Sequence, residues 1–224
     1  MRVAIISDVH GNAVGLEAVL ADIRKVGVDR IICLGDLGTI GPRPAECIDA
    51  IRDLSCPVVM GNVDYYLFHE IPEGAPQPLL ELFDWCRERL TDDHIDYLRT
   101  LVPTHAEGDW LLCCHGSPKG FDDWIVASTP EEEFEAFVEG TAAPMIAGGH
   151  THQPMVRQFG NRVFLNPGSV GLPFRLPERR ALSEAEYAIV GPDSTELRRV
   201  PFDLKQVSKD ARAVGLPHHE RWSG

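Results

Sequence analysis

Five short apolar runs in this chain each end beside a glycine and on one or two polar side chains of the kind that bind metal ions. Residues 3–7 lead into Asp8-Val9-His10-Gly11, residues 31–34 into Gly35-Asp36, residues 57–60 into Gly61-Asn62, residues 110–114 into His115-Gly116, and residues 145–147 into Gly148-Gly149-His150-Thr151-His152. Apolar runs this short read as buried strands. Between the first two, Leu16, Val19, Leu20, Ile23 and Val26 recur at helical spacing, so residues 13–26 form a helix ended by Gly27. Residues 44–53 supply the next helix. Such β-α-β alternation implies a parallel sheet with right-handed crossovers, and ligands of open α/β sheets bind beyond the carboxyl ends of the strands. The fold must therefore gather these five strand ends in one place. The adjoining glycines permit the close backbone approach that such crowding requires.

Residues 65–101 break the alternation. Pro72, Gly74, Pro76 and Pro78 mark a loop, and helices follow at 79–90 and 92–101, the second with Thr91 as N-cap. This stretch reads as a helical insertion. Strands return at 102–107 and 110–114, and a helix capped by Thr129 covers 130–139. A strand at 145–147 precedes a hairpin of 154–159 and 162–165 turned by Gly160-Asn161. Late strands at 187–190 and 197–202 and a helix at 204–214 complete a C-terminal unit over about 186–214. These strands are too many for one doubly wound sheet. The expectation is α/β: two sheets packed face to face, helices outside, in one domain spanning 1–224.

The net charge of −13 repels nucleic acid at long range and favours a small substrate. Six cysteines include no C-x-x-C pair, and the first apolar run is too short for a signal sequence or a membrane span. Reduced thiols in a cytoplasmic protein are expected, with no membrane association. Cys113 and Cys114 lie in an apolar run and read as buried strand residues rather than ligands, despite His115 beside them. Nothing in the sequence sets the oligomeric state.

Residues two apart on an extended segment point the same way, so Asp8 and His10 converge, as do His150 and His152. Any one such residue has an ordinary explanation, since a lone Asp or Asn after a strand usually serves a turn. Five strand ends with the same bias do not. The candidate metal ligands are therefore Asp8, His10, Asp36, Asn62, His115, His150 and His152. Oxygen and imidazole donors without thiolate suit Mn²⁺, Zn²⁺ or iron better than Mg²⁺ or Ca²⁺. Around them, Asn12 contacts a phosphate or caps the first helix, and Arg43 reaches a phosphate or stays a solvated loop charge. Asp64 orients a ligand histidine or caps a helix.

These ordered motifs, Asp8-x-His10, Gly35-Asp36, Gly61-Asn62-x-Asp64, His115-Gly116 and Gly148-Gly149-His150-Thr151-His152, resemble those of the calcineurin-like metallophosphoesterases. The run from Gly35 to Pro44 and Asn166-Pro167-Gly168-Ser169-Val170 resemble the small bacterial phosphodiesterase-like branch. The resemblance implies a four-layer αββα sandwich of two mixed β-sheets and two divalent ions. By it, Asp8, His10, Asp36 and His152 hold one ion, and Asp36, Asn62, His115 and His150 the other, so that Asp36 bridges. It implies attack on a phosphate ester by a hydroxide held between the metals; the candidate catalytic residues are Asp36, Asn62 and Asp64, and the candidate substrate contacts are Asn12 and Arg43. The chain departs from the family at Val63, where many members carry a histidine taken as the general acid. That departure and the branch resemblance favour a phosphodiester over a phosphomonoester. The rival expectation is a catalytically weak scaffold of the same fold, like the retromer subunit, that binds a protein partner.

Overall fold

The computed structural model describes residues 1–175 and 180–222. Val3–Ile6 (β1), Ala13–Val26 (α1), Arg30–Cys33 (β2) and Pro44–Asp53 (α2) open the chain. Three helices follow in succession: Asn62–Tyr66 (α3), Gln77–Arg87 (α4) and Asp92–Arg99 (α5). Thr104–Glu107 (β3), Leu111–Cys114 (β4), Glu131–Val138 (α6) and Met145–Ala147 (β5) come next, then the hairpin Met155–Phe159 (β6) and Arg162–Asn166 (β7). The short pair Phe174–Arg175 (β8) and Arg180–Ala181 (β9), the long strands Glu184–Gly191 (β10) and Ser194–Pro201 (β11), and Leu204–Ala213 (α7) close it.

Two mixed sheets result, with strand orders β11-β10-β1-β2 and β3-β4-β5-β7-β6. The β1–β2, β4–β5 and β5–β7 pairs are parallel, while the late strand β10 joins β1 antiparallel. The period-2 alternation of β1 explains the layering. Val3 and Ile5 join Ile32, Leu111, Cys113, Ala147, Leu165, Ala188 and Val190 in a core shared by the two sheets. Ala4 and Ile6 point the other way, into a cluster with Leu16 and Val19 of α1, Ile48 and Ile51 of α2, Phe83 of α4 and Val207 of α7. On the far side, Cys114, Ile146 and Phe164 pack on Phe134 and Val138 of α6. Each fully buried Ile, Leu or Phe contributes about 1.5–3 kcal/mol. The expected αββα sandwich is thus the observed one.

The differences are local. Residues 57–60 lie beside β2 but form only single bridges, Cys33 to Val58 and Val59 to Val102, because the chain turns at Gly61 after one register step. Helix α3 begins at Asn62 itself, so the helical insertion starts at a candidate ligand and not at residue 65. Thr91 caps α5 as expected. Thr129 does not cap α6: its hydroxyl accepts from Val126 N at 2.9 Å, and Pro130 holds the cap position. Among the described residues no helix is long and apolar enough to cross a membrane.

Candidate metal centre

The five strand ends meet at one edge of the sandwich. Backbone bonds continue past the strands and lock the turns to one another: Asp8 N donates to Gly35 O, His10 N to Asp36 O, Gly11 N to Leu37 O and Gly149 N to His115 O. Asp8, His10, Asp36, His150 and His152 all sit at positive φ, between 47° and 63°. Non-glycine residues there cost about 1–3 kcal/mol each and persist only where the surroundings over-determine them. Gly61 and Gly149 are fixed by packing: a Cβ at Gly61 would overlap Asp36 Oδ1, and one at Gly149 would overlap Ser7 Oγ and stand 2.6 Å from Asp8 Oδ2.

Three buried imidazoles are oriented in the same way. Nδ1 of His115 donates to Leu34 O at 2.6 Å, Nδ1 of His152 to Leu172 O at 2.8 Å, and Nδ1 of His10 to Thr39 O at 3.2 Å. A carbonyl can only accept, so each Nδ1 carries a proton, and in the neutral ring each Nε2 presents a lone pair. Those lone pairs converge. His10 Nε2 stands 3.0 Å from His152 Nε2, and His115 Nε2 stands 3.1 Å from Asn62 Oδ1 and 3.2 Å from Asp36 Oδ2. Asp8 Oδ1 is buried without a hydrogen bond, 3.1, 3.6 and 4.0 Å from Nε2 of His152, His10 and His115. Acceptors facing acceptors in a water-poor site repel unless a cation lies among them. The donors of Asp8, His10 and His152 lie within 4.8 Å of one another, as do those of Asp8, Asp36 and His115. The set fits divalent metal ions.

The electrostatics agree. Burial pushes the Asp8 carboxyl up, but the His152, His10 and His115 imidazoles outweigh it and hold the group well below the usual range. Burial pulls His115 down, and the Asp36 and Asp8 carboxylates outweigh that and push it up to about 10. Two buried carboxylates call for positive charge. Protons on imidazole supply it only where no metal does.

Asp36 Oδ1 accepts from Val63 N at 3.0 Å, leaving Oδ2 toward His115 and, at 3.7 Å, toward His10. Asp8 is the carboxylate common to both converging groups, where the family resemblance implied Asp36. The His150 ring lies against His115 with centroids 5.3 Å apart, yet its nitrogens fall outside both groups. Its backbone N–H donates to Asp8 Oδ2 at 3.1 Å.

Three residues were open to two readings each, and their hydrogen bonds favour the structural one. Asn12 is fully buried; its Oδ1 accepts from Gly15 N and its Nδ2 donates to Gly171 O, so it caps α1 and ties that helix to the segment at 166–172. Arg43 pairs with Asp210 at 2.7 Å and Glu46 at 3.0 Å, so its guanidinium is engaged by two carboxylates of the protein. Asp64 touches no imidazole and is fully buried: its carboxylate accepts from Asp36 N at 2.7 Å, Leu37 N at 2.8 Å and Gly61 N at 3.1 Å, so it shapes the Asp36 turn.

Sequence reasoning missed the brace beneath the site. Asn166 Nδ2 donates to Gly149 O and Thr151 Oγ1, Ser169 Oγ donates to Asp8 O, and Ser7 Oγ donates to Asp8 Oδ2 at 2.5 Å. The Asn166–Val170 motif was visible, but its partners at the site, Gly149 O, Thr151 Oγ1 and Asp8 O, lie far away in sequence. Cys113 and Cys114 are buried on opposite faces of their sheet, in different clusters, with thiols pushed up by burial, and they take no part.

A family model for the calcineurin-like phosphoesterase superfamily domain matches residues 1–193. The chain belongs to that superfamily. It is 30% identical to an uncharacterised protein of Methanocaldococcus jannaschii, over 99% of this chain and 95% of that one. It is 28% identical to the phosphodiesterase YfcE of Escherichia coli, over 77% of this chain and 81% of YfcE. The crystal structure of a metallophosphoesterase from Sphaerobacter thermophilus superposes with a TM-score of 0.80 at 30% identity, covering 100% of this chain and 99% of that one. The metal-type donors found above thus lie on the fold of a metal-dependent phosphoesterase family.

Proposed function

We propose that this superfamily member is a dinuclear metal-dependent phosphodiesterase. The convergence of the Nε2 lone pairs of His10, His152 and His115 with the unbonded Asp8 Oδ1 carries the reading. Asp8, His10 and His152 would hold one ion, with Asp36 Oδ2 nearby; Asp36, Asn62 and His115 would hold the other, with His150 beside them. Two divalent ions, when bound, lower the pKa of water toward neutrality and draw charge from phosphoryl oxygens during in-line displacement. The protein's part is positioning. Leu34 O, Leu172 O and Thr39 O fix the imidazole tautomers, and Asp64 fixes the turn that aims Asp36. Mn²⁺, Zn²⁺ or iron suit this donor set.

The lean toward diesters rests on charge and on proton supply. A monoester dianion calls for a cationic side chain beside the metals, and Arg43 is engaged by two carboxylates. Val63 is 5% exposed and packs in the apolar cluster beneath the turn, so no acid stands where many relatives carry histidine. A singly charged diester with a stable leaving group fits such a site, because general acid catalysis, worth about 10²–10⁴-fold, matters least there. The test is hydrolysis of bis-p-nitrophenyl phosphate and p-nitrophenyl phosphate after loading with Mn²⁺ or Zn²⁺, with metal content measured in parallel. Two metals per chain and faster diester cleavage are expected. One metal at saturation, or no hydrolysis of either ester with both metals bound, sinks the proposal and favours the scaffold.

A further inference from the structure

The wall beside the metal centre is aromatic, and both elements that build it start at candidate ligands. Helix α3 begins at Asn62 and carries Tyr65 three residues on, so the two share a face. The loop after β4 begins at His115 and carries Phe121 and Trp124. Tyr65 packs on Phe121 with ring centroids 4.9 Å apart and stacks on His69 at 4.0 Å and 18°. Trp124 meets the His150 ring edge-on, centroids 5.3 Å apart at 84°.

The wall is built rigidly. Tyr66 Oη donates to Asp122 at 2.7 Å and ties the helix to the loop. Within the loop, Ser117 Oγ donates to Asp123 and accepts from Lys119 N and Gly120 N. A Cβ at Gly116 would stand 2.7 Å from the carbonyls of both Gly120 and Asp123. Trp124 nevertheless remains 45% exposed and covers no core. A large ring held in place at the lip of a polar site, and left wet, is placed to meet a ligand. The neighbouring cations are occupied: Lys119 pairs with Glu139, and Arg87 is taken by Tyr66 O, Leu67 O and Asp84. With Asp122 exposed in the wall, the surface favours an uncharged planar group over a second phosphate.

We propose that Tyr65, His69, Phe121 and Trp124 form a stacking platform for a planar aromatic ester arm of the substrate. The preferred substrate is then a phosphodiester with one uncharged, ring-bearing arm, a nucleoside or a simple aryl group. This rests on the phosphodiesterase reading above, which supplies the phosphate end. Stacking on protein aromatics changes affinity by about tenfold to a hundredfold per ring.

The experiment uses the Mn²⁺-loaded full chain and three p-nitrophenyl phosphodiesters whose second arm is 5′-thymidyl, phenyl or methyl. All share one leaving group, so the second arm alone differs. The expected result is kcat/KM at least tenfold higher for the thymidyl and phenyl esters than for the methyl ester. That ratio should fall toward one in Trp124→Ala and in Tyr65→Ala, and recover in Trp124→Phe. A readout without turnover is equilibrium dialysis of thymidine 5′-monophosphate against ribose 5-phosphate, where the nucleotide should bind tighter and lose its advantage in Trp124→Ala. A phenyl advantage alone keeps the platform and overturns the nucleoside arm. Equal kcat/KM for all three esters, or a ratio unchanged in both alanine variants, overturns the platform. If no diester is cleaved at all, the phosphodiesterase reading falls, and dialysis still decides the platform by whether ring-dependent binding follows Trp124.

Discussion

The floor and the rim of the site are built on opposite principles. The floor, made by the turns after β1, β2 and β5 and the brace at 166–172, is almost wholly buried and spends its polar groups on other segments of the chain. Asp8 alone is held by Ser7, His150 N, Ser169 and Gly171 N. The rim, made by the outer face of α3 and the loop after β4, spends most of its polar ties within those two elements and shows rings to solvent, Trp124 foremost. The difference separates two tasks. Strained donors need many cross-braces, because each left-handed residue relaxes once its partners are gone. A surface that only has to accept a flat ring needs rigidity and exposure. Substitutions on the floor should therefore cost metal, activity or stability, and those on the rim should change only which substrate is preferred.

The largest effect is expected at the two carboxylates that lie between the donor groups, Asp8 and Asp36. Asp8→Asn should lower hydrolysis by about 10³-fold, the equivalent of about 4 kcal/mol of transition-state stabilisation, and deplete both metals. Asp36→Asn should be comparably damaging, since Oδ2 faces the donors of both sides. Metal analysis orders the two: if Asp8→Asn retains two metals while Asp36→Asn loses both, the bridge is Asp36 and the convergence on Asp8 is not the organising feature.

Next in size is crowding of the floor. Gly149→Ala forces a methyl group into Ser7 and against Asp8. Overpacking of this kind costs about 1–3 kcal/mol, which is about 2–4 °C in Tm per kcal/mol for a domain of this size. Asn166→Ala removes the donor to Gly149 O and Thr151 Oγ1. Losing support beneath metal ligands typically weakens metal affinity about 10–100-fold. Chelator titration against the wild type measures it, and an unchanged affinity in a folded Asn166→Ala protein would show that the brace is dispensable.

The floor was legible only in part, and the reason is physical. Which strand ends carry the site, the αββα layering, the Thr91 cap and the Gly160-Asn161 hairpin follow from local periodicity and turn chemistry, which a sequence displays directly. The roles of Asn12, Arg43 and Asp64 do not. Each is a polar residue beside a motif, and whether it meets substrate or protein depends on partners such as Gly171, Asp210 and Leu37, which other segments deliver. The brace from Asn166 and Ser169 is hidden for the same reason. The rim was the least legible: Tyr65 and Trp124 lie in stretches without periodicity, and only the fold puts them beside the donors.

Val63 tests the boundary between floor and rim. The sequence alone suggests that a histidine there would restore an acid. In the fold, Val63 is buried among apolar side chains and its backbone N–H holds Asp36. Val63→His should therefore destabilise by about 1–3 kcal/mol, the cost of a poorly satisfied buried polar group, and should change aryl and alkyl diester cleavage by the same factor. A gain confined to alkyl leaving groups would place position 63 at the substrate and extend the rim inward.

The smallest effect is expected at Arg43. Its backbone N–H donates to Gly11 O, which places it at the flank of the floor, yet its guanidinium bridges Glu46 on α2 and Asp210 on α7. The side chain is 34% exposed, so solvent screens both pairs. Arg43→Ala should then cost no more than about 1 kcal/mol of stability. KM for bis-p-nitrophenyl phosphate should stay within about twofold of wild type, because the charge that would have met a phosphate is already neutralised by two carboxylates. Arg43→Lys should behave likewise, since a single ammonium can still reach one of the two acids. The informative comparison is KM against Tm. A drop in Tm with KM unchanged keeps Arg43 a strut between helices. A rise in KM of tenfold or more with Tm unchanged would mean that the ion pairs open when substrate arrives, and that the floor recruits a cation from its own scaffold.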